Sequence, residues 1–180
     1  MSVVDVRQVA GDAVGRAHDE AAAYRGDEPR PLSGYVTILG VFSSLLALAG
    51  VPALTTGRKL PERWQVQDLV TVAVGAQKLS RALSKDAVTS PIRAPFAHYA
   101  GTSGPAEVHE EARRSTPFRH SLGELLTCPF CLDMWIVTVF VIGLIYAPRF
   151  TRLIAGGFTA LAGADFLQLA YAKAQQAAEA

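Results

Sequence analysis

Cysteine is scarce in this chain, with two residues in 180, too few for the disulfide framework that staples small secreted domains. Charge is scarce as well. Asp, Glu, Lys and Arg make up 18% of the residues and the net charge is +1, so there is no global positive field of the kind that recruits nucleic acid. No Walker loop, dinucleotide fingerprint, H-E-x-x-H or G-x-S-x-G is present, and none of the chemistries those motifs carry is signalled. The first 30 residues hold six acidic and four Arg side chains and no apolar run, unlike a secretory leader. There is no internal repeat.

Apolar residues are what the chain has in quantity. Half of it is hydrophobic and its mean hydropathy is +0.23, a balance that points to a membrane protein. Val3, Val6, Val9, Ala10, Ala13, Val14, Ala17 and Ala21 recur at helical spacing between charged residues, predicting an amphipathic helix. Its mixed charge suits a solvated helix resting on its own protein better than an anionic-lipid anchor. RGDEPRP, 25–31, reads as a linker.

From Pro31 to Gly57 no residue is charged, and Tyr35–Leu54 has the roughly 20 residues a helix needs to cross a bilayer. Trp64–Leu83 is helical in period but carries Asp68, Lys78 and Arg81. It spans if those side chains reach the interfaces, and otherwise lies along the surface. Lys85–Pro117 is polar and broken by Pro and Gly, and its second half is expected to be mobile. Ser121 and Glu124 have capping-box spacing, and Pro129 suits the first turn of a second helix starting near Cys128. Cys128–Ala147, closed by Pro148, and Leu153–Tyr171 supply two more spans, followed by an Ala-rich tail.

The expected fold is therefore all-α: an integral membrane helical bundle of about four transmembrane helices plus the amphipathic N-terminal helix. Its parts are 1–31, the N-terminal helix and linker; 32–84, two membrane helices; 85–121, a basic loop; and 122–180, the cysteine-bearing entrance, two further helices and the tail. With four spans, Arg58, Lys59, Arg63, Arg149 and Arg152 fall on one side and the remaining Lys and Arg on the other. The positive-inside bias then places both termini, the central loop and the cysteines in the cytoplasm.

KLSRALSKDAVTSPIRAPF, 78–96, followed by GELLTCPFCLDMW, 123–135, resembles the bacterial membrane-protein family filed as domain of unknown function 1360. The likeness covers roughly the last two thirds of the chain, and the cysteine stretch is its most specific part. The N-terminal helix and first span depart from the family core. The resemblance implies an integral membrane protein of bacteria or their phages; the expected location is the bacterial cytoplasmic (inner) membrane. The family has no assigned activity, so it supplies no catalytic residue.

Cys128 and Cys131 form a C-x-x-C pair, which serves as a dithiol redox centre when a helix N-terminus stabilises one thiolate. In a reducing cytoplasm the pair would rest as thiols. Two cysteines are also half of a tetrahedral zinc set, with His120 and His109 (His98 lies near them) as the nearest further ligands. The bland alternative is two small buried thiols packing a helix entrance. No cofactor is expected, with zinc the exception to keep in view.

Asp133 and Asp165 fall at similar depth in the last two spans, and an acid at bilayer depth is a functional hypothesis by default. Lys78 and Arg81 end the second span on the same side, so interhelical ion pairs are favoured over a proton or ion relay. Gly156, Ala160 and Ala164 form a small-residue face that suits close packing, within the bundle or in a homo-oligomer. Lys85, Arg93 and Phe96 lie in a Pro-braced basic loop suited to lipid headgroups or to a membrane protein partner. The favoured role is a non-catalytic interaction or accessory protein with a cytoplasmic C-x-x-C surface. A membrane thiol–disulfide protein using Cys128 and Cys131 is the alternative, and a small ion or proton transporter using Asp133 and Asp165 a weaker one. The partners implied are the lipid bilayer and another membrane protein or a second copy.

Overall fold

The computed structural model describes residues 3–26, 30–57 and 60–179. Linker residues 27–29, basic residues 58 and 59, and the side chains of Val3, Val6 and Ala10 lie outside what is described. The described chain forms α1 (Val3–Arg25), α2 (Leu32–Thr55), α3 (Val66–Lys85), a 3-10 turn (Ala87–Thr89), α4 (Ser90–Arg93), β1 (Ala97–Gly104), β2 (Glu107–Ala112), α5 (Pro117–Thr127), α6 (Pro129–Tyr146) and α7 (Pro148–Glu179). The protein is mostly helical, but it is not all-α. β1 and β2 form an antiparallel hairpin in which Ala97 faces Ala112, Tyr99 faces Glu110 and Gly104 faces Glu107.

α2, α6 and α7 are long and apolar enough to cross a membrane, and little of their surface is buried within the protein. These are the lengths and compositions of lipid-facing helices. α3 has the length but carries Asp68, Lys78, Arg81 and Lys85, and it is not among the three. α1 forms where its pattern predicts, yet its described side chains are exposed apart from half-buried Ala21. The expectation that it rests on the rest of the chain is not met along that face.

α3 is the packing centre. Val72 and Ala76 are buried with Leu132, Ile136 and Phe140 of α6 and Ala155 of α7. Gly75 makes the close approach to α7: a Cβ there would stand 2.6 Å from the Ala155 carbonyl oxygen. The Thr159 hydroxyl donates to the Thr71 carbonyl at 2.9 Å, satisfying a polar group inside an apolar interface.

Two ion pairs set the direction of these helices. Arg152 grips Asp68 with Nε and Nη2 at 2.8 and 2.7 Å, and Lys78 Nζ lies 2.6 Å from Asp165. The pairs follow the same order along α3 and α7, so the two helices run side by side in one direction. α2 relates to α5 and α6 in the same way, through Tyr35 to Glu124, Phe42 edge-on to Trp135 and the Tyr146 hydroxyl to the Ala49 carbonyl.

Two boundaries and one segment differ from expectation for identifiable reasons. α5 begins at Pro117 instead of Ser121, because Thr116 accepts from the Arg119 amide and Pro117 needs no amide partner in the first turn. Pro148 opens α7 instead of merely closing α6. The segment expected to be mobile is ordered by Arg93, which is wholly buried. Its guanidinium binds Glu110 of β2, the Leu83 carbonyl, the Thr89 and Ser90 hydroxyls and the Asp86 carbonyl, and so fastens the hairpin to the end of α3.

Candidate functional site at the cysteine pair

α5 ends at Thr127 and α6 starts at Pro129, leaving Cys128 in extended backbone as the N-cap of α6. Pro129 at the first helical position has no amide to satisfy there. The Cys131 amide donates to Cys128 Sγ at 3.2 Å. One helical turn brings the two sulfurs to disulfide distance, with the Cα atoms 5.3 Å apart, inside the range a disulfide accepts. The picture of two buried thiols is met only in part: Cys128 is half-buried, whereas Cys131 is exposed, and the two sulfurs stand at disulfide distance on the turn that opens α6.

Beside the pair lies an open, mainly apolar cleft of about 680 Å³ between α2 and the α5–α6 corner. Ile38, Leu39 and Phe42 form one wall, and Phe130, Met134 and Trp135 the other. Its polar end is organised by Glu124. The Tyr35 hydroxyl donates to Glu124 at 2.5 Å, and Arg30 Nη1 and His120 Nε2 each lie 3.6 Å from the same carboxylate. Gly34 allows this corner to form, since any Cβ there would collide with the Ser121 hydroxyl and the Pro117 carbonyl.

The other candidates are dispersed. His120 belongs to the Glu124 cluster, whereas His109 lies in the hairpin beside Glu111, as does His98. Among the described residues no group of three or more His, Cys, Asp and Glu side chains is arranged to hold a metal ion. Arg81 pairs with Glu107 at 2.5 Å rather than with an intramembrane acid. Asp133 has one buried carboxylate oxygen with no hydrogen-bond partner, so the ion pair expected for it is not formed. Arg93, expected at the headgroup layer, is buried against Glu110. Lys85 and Phe96 are half-buried.

Tyr35, Glu124 and Arg30 were not legible as a unit. Tyr35 and Glu124 are 89 positions apart, and Glu124 carries the local signal of a helix cap. The Asp68–Arg152 pair was hidden in the same way, although an acid on the packed face of α3 does signal a basic partner somewhere.

These features define a helical protein with three membrane-length segments and a disulfide-range cysteine pair at the mouth of one of them. The family described as protein of unknown function (DUF1360) matches residues 71–171, and the chain belongs to that family. No curated protein and no solved structure matches it.

Proposed function

We propose that this protein is a multi-pass membrane thiol–disulfide protein whose exposed cysteine face is also the surface on which its partner docks. The observation that carries the reading is the placement of Cys128 and Cys131 on the first turn of α6, with their sulfurs at disulfide distance and Cys131 exposed. An incoming thiolate attacks the exposed Cys131 sulfur and forms a mixed disulfide, and Cys128 leaves as the thiolate. The Cys131 amide, 3.2 Å from Cys128 Sγ, and the helix N-terminus hold that negative charge. The partner's second thiolate then attacks the partner sulfur of the mixed disulfide. Cys131 is released, and the partner leaves oxidised by two electrons. The interaction role thus becomes the docking step of the exchange. Transport is less well supported, because Asp165 is paired with Lys78.

In this reading α3 is a fourth span. Its ion pairs follow α7 from Asp68 to Lys78, so it shares the depth of an apolar helix while its charges are covered by partners. The distribution of Lys and Arg supports a cytoplasmic-membrane orientation with both termini and the cysteine face on the cytoplasmic side.

The test is a redox titration of the purified full-length protein in detergent against glutathione buffers, with thiols trapped by alkylation and counted by mass. Both thiols are expected to appear together in one two-electron transition, which Cys128→Ser and Cys131→Ser each abolish. A pair that stays unlinked under every buffer would overturn the redox reading.

A further inference from the structure

We infer that the cleft beside the cysteine pair binds a lipid-soluble quinone, which accepts the two electrons of the reduced pair. This rests on the thiol–disulfide reading above. Three features of the cleft select that chemistry. Its volume of about 680 Å³ lies within the range of small-molecule sites. Its walls are apolar, with aromatic rings at Phe42, Phe130 and Trp135, and it opens between α2 and α6, two helices of membrane length. Such a slot admits a flat ring carrying an apolar tail directly from the bilayer.

The polar end is the second feature. Arg30 faces Glu124 at 3.6 Å, so the cation and the carboxylate offset one another. A phosphate headgroup would have to compete with Glu124 for that guanidinium. A neutral head that accepts hydrogen bonds needs no such exchange. The third feature is that both Cys128 and Cys131 line the cleft, which places a two-electron centre against the bound ring.

The step balances as follows. The two S–H bonds of Cys128 and Cys131 break and one S–S bond forms. Two electrons pass to the quinone, and two protons complete its two O–H bonds. The quinol leaves to the bilayer, and the disulfide returns to the dithiol by exchange with a substrate dithiol, which leaves as its own disulfide. Tyr35 and Glu124 are the titratable groups lining the polar end through which protons reach the quinone oxygens, with His120 behind them, 3.6 Å from Glu124.

The experiment mixes pre-reduced, full-length protein in detergent with decylubiquinone, whose fully substituted ring resists thiol addition, under anaerobic conditions. One quinone reduced per two thiols lost is expected. Leu39→Trp and Met134→Trp, which fill the slot from opposite walls at exposed positions, are expected to slow the reaction at least tenfold while leaving the glutathione titration unchanged. If the pair titrates normally but the quinone is not consumed, or is consumed equally fast by both variants, the quinone inference falls alone. If the pair does not titrate at all, the thiol–disulfide reading falls with it.

Discussion

Arg93 and Glu110 form a buried ion pair, with Nε 2.6 Å from Oε2 and Nη2 3.2 Å from Oε1, at a place where the sequence shows only a polar loop. Burial alone would raise the Glu110 pKa. Hydrogen bonds from Arg93 and Ser90, and the charges of Arg93 and Lys85, outweigh it and leave the value lowered.

A lowered carboxylate pKa stabilises the fold fully above the ordinary glutamate value, and that stabilisation is lost as pH falls through the lowered one. Thermal melting in detergent should therefore weaken on acidification below a pH of about 4. Glu110→Gln should be less stable at neutral pH and lack that part of the acid dependence. Arg93→Ala leaves Glu110 buried and unpaired, at a cost of about 3 kcal/mol. Proteolysis between Lys85 and Pro117 would report it as an opened hairpin. Equal acid sensitivity in Glu110→Gln and the parent would sink this account.

The approach of α3 to α7 at Gly75 gives a separate prediction. A methyl group would stand 2.6 Å from the Ala155 carbonyl oxygen, and backbone cannot yield as a side-chain tip does. Gly75→Ala should cost about 1 to 3 kcal/mol, the usual penalty of overpacking. Gly156→Ala, which meets open space inside α7, should not lower the melting temperature and should raise it slightly, since Ala is the better helix former.

The contrast between these positions shows what was legible in the sequence. Hydropathy and period located α2, α3 and α6 within a few residues and the apolar centre of α7, because an apolar run or stripe must be buried or face lipid whatever its neighbours are. α7 itself starts five residues earlier than expected, at Pro148, and continues through the Ala-rich tail to Glu179, since Ala is a strong helix former. Cys128, Pro129 and Cys131 announced the start of α6 through local chemistry alone. The hairpin was missed because its stabilising centre is one guanidinium reaching five other residues, whereas composition registers only Pro, Gly and charge. The alternation through Val108, Glu110 and Ala112 was the available signal, and a buried Glu in it reads as polar surface until its partner is known. The cleft was missed because its two walls are supplied by segments roughly 90 residues apart in sequence.

Lys78 and Asp165, 2.6 Å apart, test whether α3 is held at membrane depth. Removing either partner leaves a lone charge facing an apolar helix surface. Asp165→Ala and Lys78→Ala should each lower the melting temperature in detergent. Lys78→Met combined with Asp165→Leu should recover most of the loss, since an apolar pair of similar volume replaces a desolvated ion pair at little or no cost. Additive losses in the double variant would show that the two side chains do not act on one another.

The placement of α3 also predicts a topology. If its ion pairs track α7 across the bilayer, a reporter inserted at Leu60, before α3, must lie on the opposite side from one inserted at Pro105, in the hairpin turn. An accessible-cysteine scan in cells, with both native cysteines replaced by Ser, reads the same property without a bulky fusion. Leu60→Cys should react with an impermeant reagent from outside and Pro105→Cys only after lysis. Reaction of both on the same side would reduce the spans to α2, α6 and α7. Because the protein would then cross an odd number of times, its termini would face opposite sides. The cysteine pair, two crossings before the C-terminal tail, would stay on the side of the tail and the hairpin, and it would part from the N-terminal helix instead.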